Sequence, residues 1–183
     1  MKEEKAICIY GASSSHIDPL YVDLDYETGR LIAEAGYTRV SGGGRGGLMA
    51  AAIEGALDAG GRTIGVLPQF MIEREWQHPR LSRIISTPSM HVRKETMASL
   101  SDAVIALPGG IGTLEELLEI ITWRQLKLYD GNVVVLNTGD YYNPLLDMLD
   151  KCAAEGFMRP GSHRLYETAS EPSEAITYAI GNA

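Results

Sequence analysis

Six short apolar runs constrain this chain more than any other feature. KAICIY (5–10), YTRVS (37–41), RTIGVLP (62–68), SRIIST (82–87), DAVIALP (102–108) and NVVVLN (132–137) are rich in β-branched residues. None shows the polar alternation that one wet face imposes on a strand. Such runs suit strands covered on both faces, as in a parallel sheet. Between them lie helical patterns. Asp18 and Pro19 form an N-cap and N1 pair for a helix reaching about Gly36. GLMAAAIEGALDAGG (47–61) and MHVRKETMASLS (90–101) read as helices, as does TLEELLEIITWRQLKLYDG (113–131), closed by Gly131. Two more are expected over 144–155 and 172–180. Strand alternating with helix predicts a doubly wound α/β fold with a mostly parallel sheet and helices on both faces. No repeat or linker divides residues 1–183, so a single domain is expected. The least regular stretch, PQFMIEREWQHPRL (68–81), reads as a mobile loop.

Charge and composition narrow the function. A formal net charge of −8 without a long basic run argues against duplex nucleic acid as the main partner, because phosphate neutralisation needs clustered Lys and Arg. Cys8 and Cys152 belong to no CxxC or Cys/His cluster and read as core thiols of a reducing compartment. The first apolar run is too short for a secretory leader, and no stretch approaches the length of a membrane span. These features predict a cytoplasmic protein.

In doubly wound sheets, ligands bind outside the carboxyl ends of the strands. That rule selects four loops: GASSS (11–15), GGGRGG (42–47), the irregular 68–81 stretch and PGGIGT (108–113). In GASSS, hydroxyl residues such as Ser13 either bind phosphate or sugar or make ordinary turns. GGGRGG fits G-x-G-x-x-G at Gly42, Gly44 and Gly47, but it follows the second strand and lacks the downstream acid of a dinucleotide site. It, with Gly43, serves either a tight turn or a pocket wall. No Gly-Lys-Ser/Thr makes it a P-loop.

PGGIGTLEE (108–116) is the more specific stretch. Gly110, Gly112 and Thr113 before a helix could direct N–H groups at a phosphate. The structural alternative is a capping box from Thr113 to Glu116, which explains the threonine and the acid but not the glycines. Arg93 and Lys94, one strand earlier, are either solvated helix residues or the cations of an anion site. His91 has no metal-like spacing to the other histidines. Glu73, Glu75 and His78 read as solvated loop charges.

Taken together, Met90-x-x-Arg93-Lys94 and Pro108-Gly109-Gly110-Ile111-Gly112-Thr113-Leu114-Glu115-Glu116 closely resemble the LONELY GUY (LOG) family, with its PGGxGTxxE hallmark. GASSS, GGGRGGLM, EWQHPRL, ITWRQL and NTGDYYNPLLDML extend the similarity over nearly the whole chain. The resemblance implies a Rossmann-like homodimer that hydrolyses the N-glycosidic bond of nucleoside 5′-monophosphates, with no metal or redox cofactor. Carried over by position, Arg93 and Glu116 match the catalytic pair. Glu75, Lys94, the loop from Gly109 through Glu115, and Thr122 match substrate contacts. Ile111 departs mildly from the tyrosine many members carry, and its backbone role is expected to survive the change. The helix N-terminus and Arg93 are expected to favour ionised Glu116. A nucleotide carrier without turnover is the alternative on the same scaffold. A pyridoxal phosphate decarboxylase would need Lys94 as its Schiff base.

Overall fold

The computed structural model describes residues 4–159, 161 and 165–181. Seven parallel strands form one sheet: β1 (Ala6–Tyr10), β2 (Thr38–Ser41), β3 (Thr63–Pro68), β4 (Arg83–Thr87), β5 (Ala103–Ala106), β6 (Asn132–Leu136) and β7 (Glu167–Ala169). Their spatial order is β4-β3-β2-β1-β5-β6-β7, which makes this a doubly wound sheet. The connections run outward from β1 in both directions, so the switch point lies between β1 and β5.

The central strands are apolar throughout because both faces are covered. Along β1, Ala6, Cys8 and Tyr10 enter one core while Ile7 and Ile9 enter the other. Val133 and Val135 against Val134 and Leu136 repeat this split on β6. The first core is closed by α4 (Met90–Leu100), α5 (Ile111–Gln125) and α6 (Asn143–Ala154). The second is closed by α1 (Pro19–Glu34), α2 (Gly47–Asp58) and α7 (Pro172–Ile180).

Asp18 caps α1 as the sequence predicts, its side chain accepting from Leu20 N–H with Pro19 at the first position. Other expectations are corrected. SRIIST forms an edge strand, and Arg83, Ile84 and Ser86 are exposed, because β4 has a neighbour on one side only. α5 stops at Gln125 rather than at Gly131; Lys127 turns the chain at φ 61° and Leu128 N–H returns to Trp123 O. Gly131 instead lies where a Cβ would meet Asp102 O at 2.3 Å. The 68–81 stretch is structured: α3 (Gln69–Glu73) is followed by a segment docked on the β2–α2 turn. β7 is too short and exposed to have left an apolar run in the sequence.

α1 and α2 cross in close contact because glycines meet backbone there. A Cβ on Gly29 would stand 2.0 Å from Ala52 O, and one on Gly55 would stand 1.9 Å from Tyr26 O. Neither neighbour can yield without moving a helix. Gly55→Ala is therefore expected to destabilise the fold by about 1–3 kcal/mol or more, as overpacking does, read from urea unfolding midpoints.

Candidate active site

Loops from both sides of the switch point enclose a cleft of about 610 Å³ at the carboxyl ends of the strands. Ser13 and Ser14 come from the β1 loop, Gly42, Gly44 and Arg45 from the β2 loop, and Gly110, Gly112 and Thr113 from the β5 loop. Arg93 reaches in from α4, and Glu115 and Glu116 from α5. Met49, Leu67, Met71, Trp76 and Met90 form an apolar wall. A lining that combines polar groups with apolar side chains suits a ligand with an anionic group and an uncharged ring.

The β5 loop settles what its glycines do. α5 begins at Ile111 with Gly110 as N-cap, and no side chain caps it. Thr113 is thus inside the first turn and Glu116 a turn further in, so the expected capping box does not form. A Cβ on Gly110 or Gly112 would meet nothing within 4 Å, and neither residue has positive φ. Neither backbone conformation nor packing within the chain requires glycine at these positions. What their absent side chains leave is open space beside the N–H groups of a helix start, which favours an anion. Gly109 is different: Thr113 packs over it, where a Cβ would lie 2.1 Å from Oγ1.

Arg93 is buried, not solvated. Its Nε–H donates to Val66 O on β3 at 3.1 Å, and its guanidinium meets Glu116 Oε1 at 3.3 Å. The side chains of Arg93 and Glu116 are 8% and 12% exposed. Burial raises the Glu116 carboxyl to about 7 although Arg93 pulls the other way. This corrects the expectation of a firmly ionised Glu116: desolvation outweighs the cation, and the residue sits beyond the first turn, where the helix dipole acts.

Lys94 is also buried, on the neighbouring face of α4, bound to Glu115 and to Glu119 at 3.0 Å. Burial pulls its ammonium pKa down, but the two carboxylates more than compensate and leave it above the usual lysine value. Ile111, Leu114 and Thr122 lie on the outer face of α5 with Leu118 and Trp123 and do not line the cleft, whereas Glu115 borders both. There Thr122 donates to Leu118 O. Glu75 is exposed, at φ 55°, beside Trp76 in the segment over the cleft. Gly43 does not line the cleft; it makes the turn at φ 67° and donates its N–H to Ser41 Oγ.

The β2 loop is held from beneath and from above. Fully buried Arg39 donates to Ser41 Oγ at 2.8 Å and to Met49 O at 3.1 Å. From above, His78 N–H donates to Gly43 O, Arg45 N–H donates to Trp76 O, and Gly44 pairs with Gln77. His78 is not a solvated charge but a buried anchor, its Nε2 2.9 Å from Glu54 Oε1. Sequence reasoning missed Arg39, Met49, Met71, Trp76 and the anchoring role of His78. Met90, three residues before Arg93 on one helix face, carried the one usable periodic signal.

Residues 49–179 match the family described as possible lysine decarboxylase. A probable cytokinin riboside 5′-monophosphate phosphoribohydrolase of Oryza sativa subsp. japonica is 40% identical over 94% of this chain and 70% of its own. A cytokinin riboside 5′-monophosphate phosphoribohydrolase of Arabidopsis thaliana is likewise 40% identical, over 94% of this chain and 81% of its own. Among solved structures, the molybdenum cofactor binding protein of Rippkaea orientalis superposes with a TM-score of 0.72 at 26% identity, covering 95% of this chain and 94% of that one.

Gly42 is a point where packing bears directly on the cleft. A Cβ there would fall 1.7 Å from an Arg93 terminal nitrogen, the end of a flexible side chain. Gly42→Ala is expected to keep the fold, losing about 1–2 kcal/mol, while displacing Arg93. Turnover should fall by about 100-fold, the scale of a 1 Å misplacement; kinetics alongside thermal unfolding check both halves.

Proposed function

The chain belongs to the LOG family, whose general description reads possible lysine decarboxylase, and we propose that it hydrolyses the N-glycosidic bond of purine nucleoside 5′-monophosphates, cytokinin riboside monophosphates and AMP among them. The products are the free base and ribose 5-phosphate. The observation that carries this reading is the open space over Gly110 and Gly112 beside the buried Arg93–Glu116 pair. The first accommodates a phosphate at a helix start. The second sets a titratable carboxyl beside it, where a ribose would extend.

In the proposed reaction, the bond from the sugar C1′ to the base nitrogen breaks with its electron pair going to the base. Positive charge develops on the ribose as in other glycoside cleavage. Ionised Glu116 stabilises that charge and accepts a proton from the water whose oxygen bonds to C1′. The departing base takes up one proton, which the release of the proton held on Glu116 balances, so that one water in sum is added across the bond. Arg93 orients Glu116, and its charge opposes the burial that would otherwise keep the carboxyl protonated. The N–H groups at the start of α5, with Thr113 and Ser13, hold the phosphate, so that remote binding fixes the sugar over the carboxylate. The apolar wall, Trp76 and Met71 included, takes the base.

Decarboxylation through a Schiff base is disfavoured by Lys94 itself. Its amine is held protonated between Glu115 and Glu119, whereas imine formation needs it neutral. A carrier role is the second reading, favoured by the likeness to the molybdenum cofactor binding protein. We further infer a homodimer that uses the outer face of α5, where Ile111 is 88% exposed and Leu118 is also exposed. Thr122 on that face, and Glu75 near the cleft mouth, are proposed to contact substrate in the assembled form. The free Cys8 and Cys152 suit a cytoplasmic setting.

The test is release of base from AMP and from isopentenyladenosine monophosphate, followed by chromatography. Base release supports the hydrolase, whereas retained nucleotide without product supports the carrier. Glu116→Gln should remove most of the activity while leaving the fold intact. A further expectation follows from the carboxyl raised to about 7. The ionised form is the active one, so kcat/KM should rise with pH and level off above about 7, falling tenfold per unit below it. A flat profile from pH 5 to 8 would remove Glu116 from the proton-accepting role.

A further inference from the structure

Two adjacent tyrosines beyond β6 reach the loop before α5. Tyr142 donates its hydroxyl to Leu107 O at 2.6 Å, and Tyr141 donates to Gly109 O at 2.7 Å. They therefore bind the carbonyls on either side of Pro108. The turn carrying them is itself fixed. Asn137 accepts from Tyr142 N–H at 2.6 Å and donates to Asn143 Oδ1 at 2.8 Å. The Tyr141 ring stands edge-on to Tyr21 of α1 and to Tyr142, with centroids 6.0 and 5.0 Å apart.

The two bonds differ in consequence. A trans peptide unit is planar, with its C=O and N–H directed oppositely. Fixing Leu107 O fixes the peptide to Pro108, which has no N–H to aim. Fixing Gly109 O fixes the peptide whose other end is Gly110 N–H. Gly110 lines the cleft, Tyr141 does not, and among the described residues no acceptor within the chain takes that N–H. Nothing stands within 4 Å of where a Gly110 Cβ would lie, so no side-chain packing at that position helps to fix the peptide before it.

We propose that Tyr141 is a positioning residue for phosphate recognition: by holding the Gly109 carbonyl away from the cleft, it aims the Gly110 N–H into it. The ligand class is a phosphate monoester or free phosphate at the start of α5. The proposal rests on the phosphorylated substrate argued above, though not on turnover.

The test compares Tyr141→Phe and Tyr142→Phe with the unaltered full chain. Binding of AMP, inorganic phosphate and adenosine is measured by calorimetry, with the Gly110 amide followed by NMR during the phosphate titration. Tyr141→Phe should weaken AMP and phosphate by about 3- to 10-fold, the worth of one hydrogen bond. Adenosine should bind as before. The Gly110 amide should respond less to phosphate. If the chain turns over AMP, KM should rise with kcat within about twofold, the signature of lost ground-state binding. Tyr142→Phe, which removes a buried bond, should lower the unfolding temperature and leave phosphate affinity unchanged. Unchanged phosphate affinity in Tyr141→Phe would overturn the proposal. So would an equal loss for adenosine, an equal effect of Tyr142→Phe on phosphate affinity, or no phosphate binding by the unaltered chain. Phosphate binding without base release would instead sink the hydrolase reading and leave this one standing.

Discussion

The burial of one guanidinium organises the carboxyl end of this sheet. A charged group removed from water is tolerated only when its donors are paired and its charge is met. Arg93 meets both demands with groups from separate elements, the Val66 carbonyl of β3 and the Glu116 carboxyl of α5. It also needs the space that Gly42 leaves on the β2 loop. The positions of two strand ends and two helices are thereby linked to one side chain. The same pairing gives Glu116 its character: burial raises the carboxyl, the cation restrains the rise, and the result lies near neutrality. A carboxyl held there can change protonation during a reaction at ordinary pH.

Topology supplies the place for this pair. Because the strand order reverses between β1 and β5, the loops after those strands part and leave a crevice that the helices do not fill. The glycine loop before α5 forms one wall. The β2 loop forms the other, held by Arg39 beneath and by the segment from Trp76 to His78 above. These walls are braced by hydrogen bonds to backbone, with side chains serving mainly as struts. Tyr141, Tyr142, Arg39 and Ser41 all act in this way on main-chain groups or on one another. The cleft is thus largely preformed, which reduces the ordering cost of binding.

Much of this was legible in the chain. Unalternated β-branched runs at KAICIY, DAVIALP and NVVVLN stated that their strands were covered on both faces, and the two cores bear that out. Asp18-Pro19 marked a helix start because its capping chemistry is local. Where the deciding partner lay far along the chain, local rules failed. Thr113-Leu-Glu-Glu116 matched a capping box, yet Thr113 packs over Gly109 and Glu116 is drawn to a side chain 23 residues away. EREWQH looked like a solvated loop because nothing near it in sequence shows that His78 anchors on Glu54 or that its backbone pairs with the glycine turn.

The sequence by itself determined the α/β layering, the glycine loop before α5 and the family, since each is written in residue types at short fixed spacings. Only the tertiary structure decided that Arg93 and Lys94, adjacent on α4, have separate fates. Arg93 turns into the cleft to meet Glu116, while Lys94 is neutralised between Glu115 and Glu119. It alone decided, too, that Glu116 is buried enough for desolvation to outweigh its cation. The reason is physical. Burial and pairing depend on which elements the fold brings together, and a side chain's ionisation is set by that assembled surrounding rather than by its neighbours in the chain.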